Sequence, residues 1–153
     1  MILGWLLLRF QCVGKAYHVE AGTAVVDQIF SVPGNLVRVS RLTGVELTSA
    51  FAIKVRTRSI TRADADLLLR QFRRDIVAGK LEIFSVAESE FAMAETLVER
   101  YAFNLRLRAL DALQLAVAME LRNQGLVDHF VAADQILCNV AGMEGFLVIN
   151  PDP

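Results

Sequence analysis

At 153 residues the chain has the size of one domain, and such a domain buries roughly 68–70% of its unfolded surface, so it needs no covalent or metal staple. Hydrophobic residues make up 54% and charged residues 22%, a balance that excludes a disordered chain. The formal net charge of −1 excludes a broadly basic, histone-like binder, although a metal ion or a local arginine cluster attracts phosphate without a basic whole.

In chain order, the candidate strands are Ile2–Leu8, Leu36–Ser40, Leu81–Val86, Phe130–Ala133 and Phe146–Ile149. The opening apolar run is too short to span a bilayer. It also has neither the basic start nor the small-residue cleavage site of a signal peptide, so a buried edge-to-core strand and a cytoplasmic protein without membrane contact are expected. Between the second and third strands, Ala65, Leu68, Leu69, Phe72 and Ile76 recur at helical spacing, with Arg70, Arg73, Arg74 and Asp75 turned elsewhere. Phe91, Ala94, Val98 and Tyr101 form a second stripe. Ala109–Met119 is apolar on nearly every side, with only Asp111 and Gln114 polar, as a central helix would be. Cys12 and Cys138 lie in apolar contexts without metal-ligand spacing and read as buried free thiols. No linker, repeat or low-complexity tract divides the chain. The expectation is one α/β domain over residues 1–153, its mostly parallel sheet flanked by helices on both faces. Chemistry is then expected beyond the carboxyl ends of the strands.

Three acids stand at that end. Thr43 and Glu46 follow the second strand at the spacing of a capping box. Asp111 falls in the first turn of the central helix, where a carboxylate favours the helix dipole. Asp134 follows Phe130–Ala133 and suits an N-cap. Each acid has a structural explanation, but together they crowd one end of the sheet. Three anions in one cleft repel unless a cation joins them or some are protonated. Oxygen ligands of this kind suit Mg²⁺ or Mn²⁺, and His18 and His129 stand isolated.

Three stretches then resemble blocks of the PIN domain: Val39-Ser40-Arg41-Leu42-Thr43-Gly44-Val45-Glu46-Leu47, Leu107-Arg108-Ala109-Leu110-Asp111-Ala112-Leu113-Gln114-Leu115-Ala116, and Phe130-Val131-Ala132-Ala133-Asp134. Gly145-Phe146-Leu147-Val148-Ile149-Asn150-Pro151 is similar to that family's last strand. The nearest branch is the VapC-like toxins of bacterial type II toxin–antitoxin pairs, and the likeness runs from about Tyr17 onward. It implies a PIN-like fold and a metal-dependent endoribonuclease, with four acids around Mg²⁺ or Mn²⁺ for phosphodiester hydrolysis of RNA. Glu46 matches the second acid, Asp111 the third and Asp134 the fourth. Arg108 lies beside them, either to meet the substrate phosphate or as a solvated side chain. A cognate antitoxin and homodimerisation are implied as well.

The family's first acid is missing. Aligning Lys15 and Tyr17 with the motif Asp-Ser-Ser-Ala-Leu-Val-Lys-Arg-Tyr puts Arg9 where the Asp belongs. An arginine cannot ligate a cation and its charge opposes one, so impaired cleavage is expected. An inactive PIN-like domain that only binds a partner such as an antitoxin is the alternative. A receiver-type phosphoacceptor lacks its acids after Leu8 and Val86, and a plain structural domain would use all three acids as caps. Codons permitted for Arg9–Ala16 can be chosen so that reading one base later, into the Tyr17 codon, spells Asp-Ser-Ser-Ala-Leu-Val-Lys-Arg. Residues 1–16 are therefore atypical, and a shifted reading frame is the hypothesis for them. The nucleotide sequence tests it: codons that fail to spell the motif in the shifted frame refute it.

Overall fold

The computed structural model describes residues 4–152, without the side chains of Trp5 and Phe10. The elements are β1 (Trp5–Leu8), α1 (Phe10–Lys15), α2 (Thr23–Ser31), β2 (Leu36–Ser40), α3 (Leu42–Arg56), α4 (Arg62–Val77), β3 (Leu81–Phe84), α5 (Glu88–Tyr101), α6 (Ala109–Asn123), β4 (His129–Val131), α7 (Gln135–Met143) and β5 (Leu147–Ile149). All five expected strands form, each at or within a few residues of its expected bounds. Ile2 and Leu3, expected in the first strand, lie outside the described residues.

Among the described residues the strands make one sheet in the order β3-β2-β1-β4-β5, and every pairing is parallel. The apolar opening segment is thus the centre of the sheet, flanked by β2 and β4. Its side chains alternate as a strand requires: Leu6 and Leu8 enter one core with Val26, Ile29, Phe51 and Phe72 of α2–α4. Leu7 enters the other core with Leu97, Leu115 and Leu137 of α5–α7. Near-continuous apolar strands with helices on both faces are the expected dress of a parallel sheet. The order 3-2-1-4-5 also differs from the 2-1-3-4-5 order of receiver domains, which removes that reading.

The order has a consequence for chemistry. The chain leaves β1 toward β2 on one side and later returns to place β4 on the other. The helices that follow these two strands, α1 and α7, pack into opposite cores. A crevice opens where they part, outside the carboxyl ends of β1 and β4.

Two inward positions differ from the periodicity. Asp75 is buried at 8% exposure, because it lies three residues beyond Phe72 on the same face of α4. Its carboxylate is paired: the Tyr17 hydroxyl donates to it at 2.8 Å and Gln71 Nε2 at 3.0 Å, with Lys80 Nζ at 3.4 Å. In α5 the buried residues are Glu90, Ala94 and Leu97, whereas Phe91 is about half exposed. Glu90 turns back to accept a hydrogen bond from the Ala87 N–H at 2.7 Å, which closes the helix start.

The end of the chain clasps the start of α2. Lys15 Nζ lies 2.9 Å from Asp152 and donates to the Ala21 carbonyl at 2.6 Å. Gly22 has φ +80°, and a Cβ there would meet Asp152 Oδ1 at 2.6 Å and the Pro151 carbonyl at 2.8 Å, so only glycine fits. No helix among the described residues is long and apolar enough to cross a membrane.

Cys12 and Cys138 are both free and buried. Burial pushes the Cys12 thiol up to about 12 and the Cys138 thiol up to about 11. Thiolate is the reactive form, so the native protein should be inert to a thiol reagent at pH 8 and release two equivalents only after denaturation. Prompt native labelling would contradict this packing.

Candidate active site

Arg9 follows the last residue of the central strand. Its N–H donates to the Val131 carbonyl of β4 at 3.0 Å, and its own carbonyl accepts from Cys12 and Val13 at 2.9 and 3.0 Å. The backbone is therefore pinned between the sheet and the first turn of α1, and the side chain goes into the crevice. Arg9 is only 2% exposed. Its Nη1 donates to both carboxylate oxygens of Glu46 at 3.0 Å, and its Nη2 donates to Asp111 Oδ1.

Glu46 reaches this point from inside α3. The Thr43–Glu46 capping box does not form. Ser40, at the end of β2, takes up the Leu42 N–H through its hydroxyl at 3.2 Å, so the helix begins at Leu42 and both residues lie within it. Thr43 is fully buried, and the Glu46 carboxylate turns to Arg9. Gln114 of α6 donates through Nε2 to Glu46 Oε2 at 2.6 Å.

Asp111 is the third residue of α6, whose N-cap is Arg108. Burial holds its carboxyl above the usual aspartate range, and the negative field of Asp134 adds to this, while Arg9 and Arg108 pull the other way. Asp134 caps α7, accepting the Leu137 N–H at 2.9 Å, so its structural explanation holds. It is half-buried and adjoins a concavity of about 370 Å³ lined also by Gln11, Lys15, Glu20 and Asp152. A larger cavity of about 840 Å³ lies at the opposite end of the strands, lined by Gly34 and Leu36 before and in β2 and by Lys80 and Leu81 at the start of β3. It contains none of the three acids.

The structure thus brings Glu46 and Asp111 together around one guanidinium and sets Asp134 within electrostatic reach of Asp111. Arg108 is exposed at the head of α6. The partner that sequence reasoning passed over is Gln114. Its signal was available: it lies three residues after Asp111, hence on the same helix face, in an otherwise apolar helix. It is fully buried.

This donor set does not fit a divalent ion. Such an ion needs carboxylate oxygens turned toward a common point, and here Glu46 and Asp111 turn theirs toward Arg9. Among the described residues, no group of three or more His, Cys, Asp or Glu side chains is arranged to hold a metal.

No family model and no curated protein matches the sequence. Solved structures do match. VapC20 from Mycobacterium tuberculosis, described as a sarcin–ricin-loop-cleaving toxin, superimposes with a TM-score of 0.68 at 14% identity over 95% of this chain and 99% of its own. FitAcB from Neisseria gonorrhoeae gives 0.66 at 18% identity over 95% and 97%. A toxin–antitoxin complex from Klebsiella pneumoniae gives 0.63 at 13% over 95% and 97%. The fold is PIN-like. The likeness extends over nearly all of this chain and nearly all of each neighbour.

Within this PIN-like frame the two roles of Asp134, cap and anion, are separable. Asp134→Ala should lower stability by about 1 kcal/mol in urea denaturation, the usual cost of losing an N-cap. Asp134→Asn keeps the cap acceptor and should cost much less. Equal losses in both variants would mean that the charge, and not the cap, dominates.

Proposed function

We propose that the chain is a VapC-like ribonuclease toxin of a toxin–antitoxin pair whose hydrolytic site is impaired by Arg9. Two supports carry the toxin part: the motif blocks at Glu46, Asp111 and Asp134, and a superposition on a toxin and on a toxin–antitoxin complex that covers 95% of the chain. The single observation that carries the impairment is the Arg9 guanidinium bound between Glu46 and Asp111. In the active form of such a site, Mg²⁺ or Mn²⁺ would supply the activation of water and the neutralisation of charge. The ligands would be Glu46, Asp111, Asp134 and an acid at position 9.

The residues present here do other work. Arg9 neutralises part of the acid cluster and closes the floor of the crevice, Gln114 orients Glu46, and Arg108 stands exposed where an RNA phosphate approaching Asp111 would meet it. An antitoxin is the proposed protein partner, and a second copy of the chain the proposed oligomeric partner. The same Arg9 contacts favour a second reading, a PIN-like domain that binds the antitoxin and performs no hydrolysis.

An RNA-cleavage assay with Mn²⁺, on the unaltered chain and on Arg9→Asp, separates these. Weak or absent cleavage is expected from the unaltered chain. Arg9→Asp should gain about 100-fold or more in Mn²⁺-dependent cleavage, and adding Glu46→Gln or Asp111→Asn should abolish the gain. Full cleavage by the unaltered chain that survives both acid substitutions would overturn the assignment. A silent Arg9→Asp that still binds the antitoxin would favour the second reading.

A further inference from the structure

The acid cluster poses an electrostatic problem that the chain has solved within itself. Glu46 comes from α3, packed on one face of the sheet, and Asp111 from α6, packed on the other. Both carboxylates are more than nine-tenths buried, and Asp134 adds its field to Asp111. Buried carboxylates this close are unfavourable without a cation between them.

Arg9 is built to be that cation. It extends from the central strand, and its backbone is fixed by hydrogen bonds to Val131, Cys12 and Val13. The planar fork of the guanidinium gives one nitrogen to both oxygens of Glu46 and the other to Asp111. A guanidinium satisfies several carboxylate lone pairs at once and keeps its charge when buried. Its tether spares the cost of recruiting an ion from solution.

We propose that the Arg9 guanidinium is a tethered replacement for a divalent metal, making the folded chain independent of metal for its stability and closed to metal at Glu46 and Asp111. This inference stands on the Arg9 cluster and holds whether or not the Arg9→Asp variant cleaves RNA, whereas Mn²⁺-dependent cleavage by the unaltered chain through Glu46 would contradict it.

Thermal melting of the full chain in EDTA and in Mn²⁺, with calorimetric titration of Mn²⁺, tests it. The unaltered chain should melt at the same temperature in both buffers and show no binding that depends on Glu46. Arg9→Ala should melt about 10 °C lower in EDTA, the scale expected for unpairing buried charge in a domain of this size, and should bind Mn²⁺ and recover most of the loss. The neutralised combination Arg9→Ala, Glu46→Gln, Asp111→Asn should regain stability in EDTA and ignore Mn²⁺. If Arg9→Ala does not fold in either buffer, the combination decides: a folded, metal-indifferent protein supports the proposal and an unfolded one overturns it. The proposal also fails if Mn²⁺ stabilises the unaltered chain through Glu46. It fails equally if Arg9→Ala melts like its parent, or if folded Arg9→Ala is destabilised and gains nothing from Mn²⁺.

Discussion

One guanidinium joins three parts of the molecule that share no sequence neighbourhood. Arg9 directly follows the central strand, Glu46 belongs to a helix on one face of the sheet and Asp111 to a helix on the other. Each layer of the sandwich thereby sends a charged group to the same point. A buried ion pair is no gift to stability, since desolvating the charges costs several kcal/mol per ion before their attraction returns it. What such a cluster does is fix geometry. The crevice cannot move apart without leaving a buried carboxylate unpaired, and Gln114 holds Glu46 from the α6 side, which removes one more way for the cluster to rearrange.

The position of this cluster follows from topology and not from any property of arginine. With strands in the order 3-2-1-4-5, the segments leaving β1 and β4 part to opposite faces, and whatever residue follows β1 is directed into the gap. An acid there would add a further carboxylate beside Glu46 and Asp111 and leave them without their cation. An arginine there turns the same crevice into a partly neutralised cluster of polar contacts. The PIN-like scaffold is common to both outcomes, and one side chain at the end of one strand separates them.

The segment that carries Arg9 differs from the motif it was aligned with, and it forms the helix α1 (Phe10–Lys15). Cys12 and Val13 stand where the motif has Ala and Leu, and both are fully buried, so the inward positions of α1 are apolar in either reading. Lys15 stands where the motif has Lys, and it ties α1 to Asp152 and the Ala21 carbonyl. The buried positions Cys12 and Val13 thus keep the polarity of that motif, and the difference that bears on Glu46 and Asp111 is Arg9.

Periodicity and local chemistry were enough for the layers. Apolar runs such as Leu36–Ser40 are strands because a sheet covered on both faces has no polar side to alternate with, and Ala109–Met119 is central because it has almost no polar face. Asp134 as an N-cap was legible for the same reason: a cap is satisfied by its own next three residues. What the chain could not disclose locally depended on partners far away. Glu46 was equally compatible with a capping box at Thr43, until Ser40 took up the Leu42 N–H and released its carboxylate to a residue 37 positions earlier. Asp75 read as outward because its partner Tyr17 lies 58 positions away. Sequence determined that acids gather at one end of the sheet and that Arg9 stands where a fourth was expected. Only the tertiary structure decided that Arg9 lies between them, because whether a charge opposes a site or completes it depends on distances that no spacing along the chain contains.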